Sequence, residues 1–254
     1  SAMEAKALIE NGVFKVGSVK RSQRRKSPAP PFTTSTLQQE ASRKLNYTSS
    51  KTMQVVQGLY EGVELGKEGS QGLVTYIRTD SVRVSAEAVS AAREEISRLY
   101  GKDHLPDSPR EYKTASRAQD AHEAIRPTDV TRTPESIKAF LSREQLQIYR
   151  LIYIRFLASQ MKDAEYQTFT ADLVCDDVTL RYYAEHKSFA GFTAVYEEGT
   201  DDNGNDVQDY MPAFKEGDAV AIVQVQAEQR FTQPPARYTE ASLIKSLEEN
   251  GIGR

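Results

Sequence analysis

Three polar residues stand at alternating positions just after an apolar run in residues 72–81, Gly-Leu-Val-Thr-Tyr-Ile-Arg-Thr-Asp-Ser. They are Tyr76, Arg78 and Asp80. Residues 73–77 predict a short β-strand, and side chains two positions apart on extended backbone point to the same face. If the extended geometry continues to Asp80, a nucleophile, a phosphate-binding cation and an acid share one surface.

A tyrosine needs help to act as a nucleophile. With an ordinary pKa near 10, roughly one phenol in a thousand is ionised at neutral pH. An adjacent guanidinium supplies part of the missing stabilisation, and its planar fork also binds a phosphate through two hydrogen bonds. Spacing alone leaves a structural alternative open, because tyrosines are common in strands and an arginine two positions away often only covers the ring.

Residues 72–81 resemble the active-site segment of bacterial type IA DNA topoisomerases. Four further stretches resemble the same family in the same order. They are Pro-Phe-Thr-Thr-Ser-Thr-Leu-Gln-Gln (31–39), residues 57–61, Ala-Gln-Asp-Ala-His-Glu-Ala-Ile-Arg-Pro-Thr (118–128), and residues 231–245 continuing to Gly-Ile-Gly-Arg (251–254). Five matches in register over nearly the whole chain make coincidence an unsatisfactory explanation.

The resemblance implies that the tyrosine attacks a DNA phosphate and becomes joined to the 5′ end. It assigns catalytic roles to Tyr76, Arg78, His122, Glu61 and Asp80. It assigns DNA contacts to Arg78, Gln57, Thr75, Thr79, Arg126 and Arg254. Without it, His122 reads as a surface or helix-capping residue on a short helix that ends at Pro127, and Gln57 and Glu61 read as a solvated helix face.

We expect this chain to hold no catalytic metal ion itself. Gly204 falls at the wrong place in residues 201–206 for a calcium loop, and His122-Glu123 lacks the second histidine of a zinc helix. The resemblance implies Mg²⁺ held by an acidic cluster in a separate N-terminal domain. We therefore expect a central fragment of the enzyme, with the magnesium ligands and that N-terminal domain outside this chain, and DNA as the partner.

Composition sets outer limits on the class of protein. The chain has 254 residues, of which 39% are hydrophobic and 27% charged, so it can bury one large core or two modest ones. No apolar run reaches the length of a membrane span. The single Cys175 cannot form an internal disulfide, which favours a cytoplasmic location.

Although its net charge is −3, the chain contains a basic block near its start. Its members are Lys15, Lys20, Arg21, Arg24, Arg25 and Lys26. A local cationic patch attracts nucleic acid whatever the total charge. A solvated linker explains the block equally well, since a proline-rich stretch follows it.

Periodicity predicts strands, then helices, then strands, which makes the chain α+β. We expect a mainly helical domain (27–162) carrying the tyrosine, inserted into an antiparallel β domain (1–26 and 163–233), with residues 234–254 starting a further helical domain. Residues 1–3 read as a tag remnant. The resemblance places these domains in a toroidal topoisomerase core.

Several local signals define the elements. Expected helix caps are Thr34, Ser50, Ser85, Thr133, Ser142 and Thr239. Expected hairpins turn at Asp176-Asp177 and Asn203-Gly204, and alternation predicts a strand over residues 219–225. The glycine-rich residues 62–71 predict a long mobile loop before Tyr76.

The predicted function is cleavage and religation of one DNA strand through a 5′-phosphotyrosine, relaxing negative supercoils without ATP. The alternative is a module without chemistry of its own, either a weak single-stranded-DNA binder or a structural clamp arm.

Overall fold

The structure, a computed structural model, describes residues 2–112, 122–199 and 208–252. In chain order its elements are α1 (Ala2–Asn11), β1 (Phe14–Lys26), α2 (Thr34–Leu45), α3 (Ser49–Glu61), β2 (Val63–Glu64), β3 (Ser70–Gln71), α4 (Ala86–Tyr100), α5 (Pro134–Ile137), α6 (Arg143–Ser159), β4 (Ala164–Cys175), β5 (Val178–Phe189), β6 (Ala219–Val220) and α7 (Glu240–Glu249).

The described residues form two compact units. The sheet unit contains residues 2–26, 164–189 and 208–236, and the helical unit contains residues 27–112, 122–163, 190–199 and 237–252. The α+β class expected from the sequence is confirmed.

The sheet unit is an antiparallel sheet with strand order β5-β4-β1-β6. Its core is one face of the long strands, with Phe14, Val16, Phe169, Leu173 and Ala184 buried together. The expected hairpin turn at Asp176-Asp177 is confirmed, and Asp176 takes a left-handed conformation there (φ 48°). The hairpin expected at Asn203-Gly204 lies outside the described residues.

One strand prediction and the linker interpretation of the basic block need correction in this unit. The strand expected over residues 219–225 stops after Val220, and Val223 is 98% exposed, so the alternation there is not used for packing. The basic block, which could have been a linker, lies on β1 and pairs with β4 over residues 15–26.

The helical unit is built around α6. Ile148, Ile152 and Phe156 on α6 are fully buried, as are Leu37 on α2 and Leu59 on α3. The predicted caps at Ser85, Thr133, Ser142 and Thr239 are confirmed, each accepting a hydrogen bond from a first-turn amide. Two caps were predicted one and two residues late, because Thr33 rather than Thr34 caps α2 and Thr48 rather than Ser50 caps α3.

Two segments join the helical unit at points that differ from the predicted domain limits. Residues 190–199 do so through Tyr196, whose hydroxyl donates to Glu40 Oε1 (2.7 Å) and accepts from Arg155 Nη1 (3.0 Å). Residues 237–252 do so through α7, which packs on α2. Contacts with residues far away in sequence determine which unit each segment joins, so local composition does not predict it.

Residues 62–71, expected as a long mobile loop, form a short hairpin. Val63 pairs with Gln71 and Glu64 with Ser70, while Val63 and Leu65 are buried. Arg132 Nη2 donates to Glu68 Oε2 at 3.0 Å and holds the turn. No helix in the described part of the chain is long and apolar enough to cross a membrane.

Candidate active site

The segment that carries Tyr76 is extended but is not a regular strand. It makes one isolated bridge, Val74 with Pro127, and bends at residues 77–78, so the strand expected over residues 73–77 is wrong. The predicted alternation nevertheless holds from Tyr76 onward: Tyr76 and Arg78 are exposed, while Ile77 and Thr79 are buried. No strand ladder forms, because each neighbouring extended segment hydrogen-bonds to the Tyr76 segment at only a few positions.

Residues 122–127 cross beside this segment. Ile125 N donates to Phe32 O (2.8 Å), and Thr75 N donates to Arg126 O (2.9 Å). The Thr75 hydroxyl also donates to Ala124 O at 2.7 Å. The short helix predicted around His122 is therefore wrong for residues 122–127, because bridges from both sides hold this backbone extended; residues 118–121 lie outside the described part.

This crossing brings His122 onto Tyr76. The centroids of the two rings are 5.0 Å apart, with an angle of 39° between the ring planes. On another side of Tyr76 the ring of Tyr60 makes an edge contact, with centroids 5.8 Å apart. Tyr60 was not among the predicted site residues, although it lies in the same helical turn as Gln57 and Glu61.

The last turn of α3 lies against the start of the Tyr76 segment. Leu73 N donates to Leu59 O at 2.7 Å. On the same turn Gln57 Nε2 donates to Glu61 Oε1 at 2.6 Å, so the two side chains share one face as their spacing predicted. A methyl group at Gly72 would lie 2.9 Å from Tyr60 O, so glycine permits this close approach.

Exposure distinguishes Tyr76 from the buried tyrosines of the same unit. Burial raises the pKa of Tyr112 to about 12, and it also raises the pKa values of Tyr149, Tyr153 and Tyr196. Those phenols are held in the neutral form and serve as hydrogen-bond donors to main-chain carbonyls or to a carboxylate. Tyr76 is 39% exposed, so a substrate can reach its oxygen.

Arg78 and His122 line a cavity of about 810 Å³. Asp80, Thr79, the first turn of α2 and the last two turns of α7 complete the lining. Within the described residues, the Arg78 guanidinium makes no hydrogen bond or ion pair, and its side chain is exposed. An exposed cation with open hydrogen-bond donors beside a phenol provides a place for a phosphate group.

Three predicted DNA-contact residues are used inside the fold. The hydroxyl of Thr75 bonds to residues 124–126, and that of Thr79 accepts a bond from Ser81 N (3.0 Å). Arg126 pairs with Glu123, with Nη2 and Oε2 2.6 Å apart, and also donates to Pro127 O. These bonds position the crossing segments, and DNA contact by these three residues stays a prediction. Arg254 lies outside the described residues.

The basic block of β1 is partly neutralised. Arg24 donates two hydrogen bonds to Glu185 (2.9 and 2.5 Å), which lower the pKa of that carboxyl group. Arg25 lies 3.4 Å from Glu165, and the Arg21 guanidinium lies over the ring of Phe169. The described residues contain no group of three or more histidine, cysteine or acidic side chains arranged to hold a metal ion.

Comparison with known proteins decides the family. A family model described as DNA topoisomerase matches residues 1–254. The chain belongs to the DNA topoisomerase family. The five stretches quoted above therefore lie within a topoisomerase sequence, and the resemblance inferred from them is confirmed.

Similar proteins include DNA topoisomerase 1 from two strains of Xylella fastidiosa. The protein of strain 9a5c is 48% identical over 251 residues, covering 97% of this chain and 31% of that protein. The protein of strain Temecula1 is 49% identical over 248 residues, covering 96% of this chain and 30% of that protein. This topoisomerase chain thus spans about a third of the length of the curated relatives it matches.

A solved structure is similar over almost the whole fold. Full-length topoisomerase I from Thermotoga maritima, in a monoclinic crystal form, superposes with a TM-score of 0.83 at 39% identity. The match covers 99% of this chain and 40% of that one. The topoisomerase chain therefore shares the α+β fold of that region.

Proposed function

We propose that this chain is the part of a type IA DNA topoisomerase that carries the nucleophile, and that Tyr76 is that nucleophile. The observation that carries the proposal is the contact of the exposed Tyr76 ring with the His122 ring, 5.0 Å away, together with the cavity that His122 and Arg78 both line. Membership of the topoisomerase family gives this arrangement its chemistry.

The proposed reaction is a transesterification. The Tyr76 oxygen attacks phosphorus in a single-stranded stretch of DNA, and the phenol loses its proton as the new oxygen–phosphorus bond forms. The bond from phosphorus to the 3′ oxygen breaks, and that oxygen leaves as a 3′-hydroxyl after taking up a proton. The product is a 5′-phosphotyrosine, and the reverse reaction reseals the strand without ATP because the phosphoester count is unchanged.

The surrounding residues take distinct roles. Arg78 donates hydrogen bonds to the non-bridging phosphate oxygens, whose negative charge grows as the bond forms. His122 donates to the same phosphate and packs against the attacking ring. Glu61, Gln57 and Asp80 orient polar groups around the DNA. Passage of the second strand through the break would relax negative supercoils in single steps.

The mechanism above contains no step through Mg²⁺. The resemblance to type IA topoisomerases implies that an acidic cluster in a separate N-terminal domain holds Mg²⁺. We place that domain in a longer protein of which this chain is the central part, since the chain covers 31% of the Xylella relative. A cytoplasmic location follows from the DNA substrate and from the single cysteine.

The test is trapping of the covalent adduct in the full-length protein. Labelled oligonucleotide is incubated with enzyme and Mg²⁺ and quenched with detergent. The Tyr76→Phe variant must then form no adduct. Tyr60→Phe is the matched control because it removes the neighbouring phenol, and it must keep the adduct. An adduct that survives Tyr76→Phe refutes the assignment.

A second measurement separates the alternative functions. Titration of this chain with single-stranded oligonucleotide at 50 and about 200 mM salt gives a negative slope of log affinity against log salt if phosphates are bound. Binding without adduct formation by the full-length protein supports the non-catalytic binder. No binding by the chain, together with no adduct from the full-length protein, supports the clamp arm.

A further inference from the structure

We infer that Thr34 is a positioning residue that aims Arg78 at the phosphate. The inference rests on the proposed function, because it concerns the same site. Thr34 is the first residue of α2 and lines the same cavity as Arg78 and His122. Neither its residue type nor its place in the sequence marked it as more than a helix cap.

The Thr34 hydroxyl bonds to both peptide groups that flank Arg78. It donates to Ile77 O at 2.7 Å, which belongs to the peptide before Arg78. It accepts from Thr79 N at 2.9 Å, which belongs to the peptide after Arg78. One hydroxyl therefore fixes both planes that determine φ and ψ of Arg78, and with them the direction of its Cα–Cβ bond.

A main-chain hydrogen bond also joins Thr34 to the Arg78 segment. Thr34 N donates to Thr79 O at 2.9 Å, so one of the amides that a helix start leaves without an intrahelical partner is used on the Arg78 segment. Because the 72–81 segment has no strand ladder at residues 77–79, these bonds replace the ladder where the chain bends.

The first turn of α2, which carries Thr34, is held in place by its own contacts. Thr33 caps α2 in a reciprocal capping box with Thr36, and the neighbouring Phe32 is fully buried. Ser35 Oγ donates to Glu248 Oε2 of α7 at 2.6 Å. The first turn of α2 is thus a fixed reference, and Thr34 transmits its position to Arg78.

Valine is the informative substitution because it has the shape of threonine without the hydroxyl. Thr34→Val leaves Ile77 O and Thr79 N without their side-chain partner and frees the Arg78 backbone to rotate. Because a misplacement of about 1 Å costs on the order of 100-fold in rate, we expect adduct formation in the full-length protein to slow about 10- to 100-fold. Thr34→Ser keeps the hydroxyl and restores the rate to within about threefold.

A double-mutant cycle with Arg78→Gln shows whether Thr34 acts through Arg78. If it does, Thr34→Val slows the Arg78→Gln enzyme less than about twofold, because no guanidinium remains to be aimed. The matched control is Ser50→Ala, which removes an exposed hydroxyl from the first turn of α3 and changes the rate less than about threefold. Equal effects of Thr34→Val in both backgrounds, or no effect in the wild type, overturn the inference.

The melting temperature and a second pair of variants distinguish a loss of folding from a loss of Arg78 positioning. Thr34→Cys and Thr34→Ser are alike in size but differ in hydrogen-bonding strength, so the cysteine variant must be at least about fivefold slower. Equal rates for this pair also overturn the inference. Failure of the proposed function appears elsewhere, as an adduct in Tyr76→Phe, whereas failure of this inference leaves the Tyr76 adduct intact.

Discussion

At the scale of single residues, the site depends on which polar side chains are already used by the fold. Arg126 is paired with Glu123, whereas Arg78 has no partner within the described chain. Both arginines lie in family-like motifs, and the sequence gives no reason to separate them. Their difference arises from a carboxylate three positions before Arg126, which captures that guanidinium locally.

The shape of the Arg78 head group gives the first prediction. We expect Arg78→Lys in the full-length protein to slow adduct formation by about 100-fold, because an ammonium keeps the charge but loses the planar fork that binds two phosphate oxygens. The measurement is the rate of adduct formation with labelled oligonucleotide at saturating DNA. The control is Arg143→Lys on the exposed start of α6, which should leave the rate unchanged; a rate for Arg78→Lys within threefold of wild type would contradict the role of the fork.

At the scale of elements, hydrophobic period and cap chemistry predicted the helices well. Ser142 and Gln145 form the reciprocal bonds that the Ser-Arg-Glu-Gln pattern indicates, because both partners are within one turn. The region of His122 was predicted as a helix because alanines and isoleucine surround it. Its extended form depends on Phe32 and Thr75, which lie about 90 and 50 residues away in sequence, and no local pattern contains that information.

The corrected start of α3 gives the second prediction. Thr48 Oγ1 accepts from Lys51 N at 3.2 Å, whereas Ser50 is exposed within the first turn. We expect Thr48→Ala to lower the free energy of unfolding by about 1 kcal/mol, and Ser50→Ala by less than about 0.5 kcal/mol. Urea unfolding followed by circular dichroism measures both; a larger loss for Ser50→Ala would restore the original prediction.

A glycine beside α6 gives the third prediction. Gly191 has φ +51°, and an added Cβ would lie 2.2 Å from Asp163 O, while Gly101 has φ +86° and nothing within 4 Å of its Cβ position. We expect Gly101→Ala to cost about 2 kcal/mol through backbone strain alone, because φ +86° with ψ 162° is a conformation essentially restricted to glycine. Gly191→Ala should cost at least about 3 kcal/mol, because main chain must also move. Comparable losses in thermal unfolding would show that the close contact with Asp163 is unimportant.

At the scale of the whole molecule, the sequence predicted the alternation of strand-rich and helix-rich regions and the family. It did not predict which unit residues 190–199 join, because that depends on Tyr196 reaching Glu40 and Arg155. It also predicted the candidate site only as separate motifs. Their meeting depends on the crossing of residues 122–127 over the Tyr76 segment, a contact of high sequence separation.

The buried phenols of the helical unit give the fourth prediction. Tyr112 ionises near pH 12 in the folded chain, whereas its pKa is about 10 when unfolded, so at alkaline pH the unfolded chain binds fewer protons. The free energy of unfolding is unaffected below about pH 9 and then falls with a slope that rises towards a limit of about 1.4 kcal/mol per pH unit near pH 11 for each such phenol. Denaturant unfolding between pH 8 and 11 measures the slope.

Tyr112→Phe provides the control for that slope. It removes one ionising group and should make the fall between pH 10 and 11 smaller by about 1 kcal/mol. Identical slopes for wild type and Tyr112→Phe would show that Tyr112 does not keep its proton in the folded state.

The hairpin of β2 and β3 has a practical consequence. Its strands pair at their bases, so the polypeptide returns to Gly72 close to where it left α3, and Gly69 at the turn has open space around it. Gly69 has φ +68°, where a side chain is strained, so a fluorophore is better attached at Lys67→Cys, an exposed position of the same turn. The label would then sit on a short stalk whose base adjoins Gly72 and the last turn of α3. If the proposed function holds, such a label would report strand cleavage while the side chains assigned to the reaction stay unaltered.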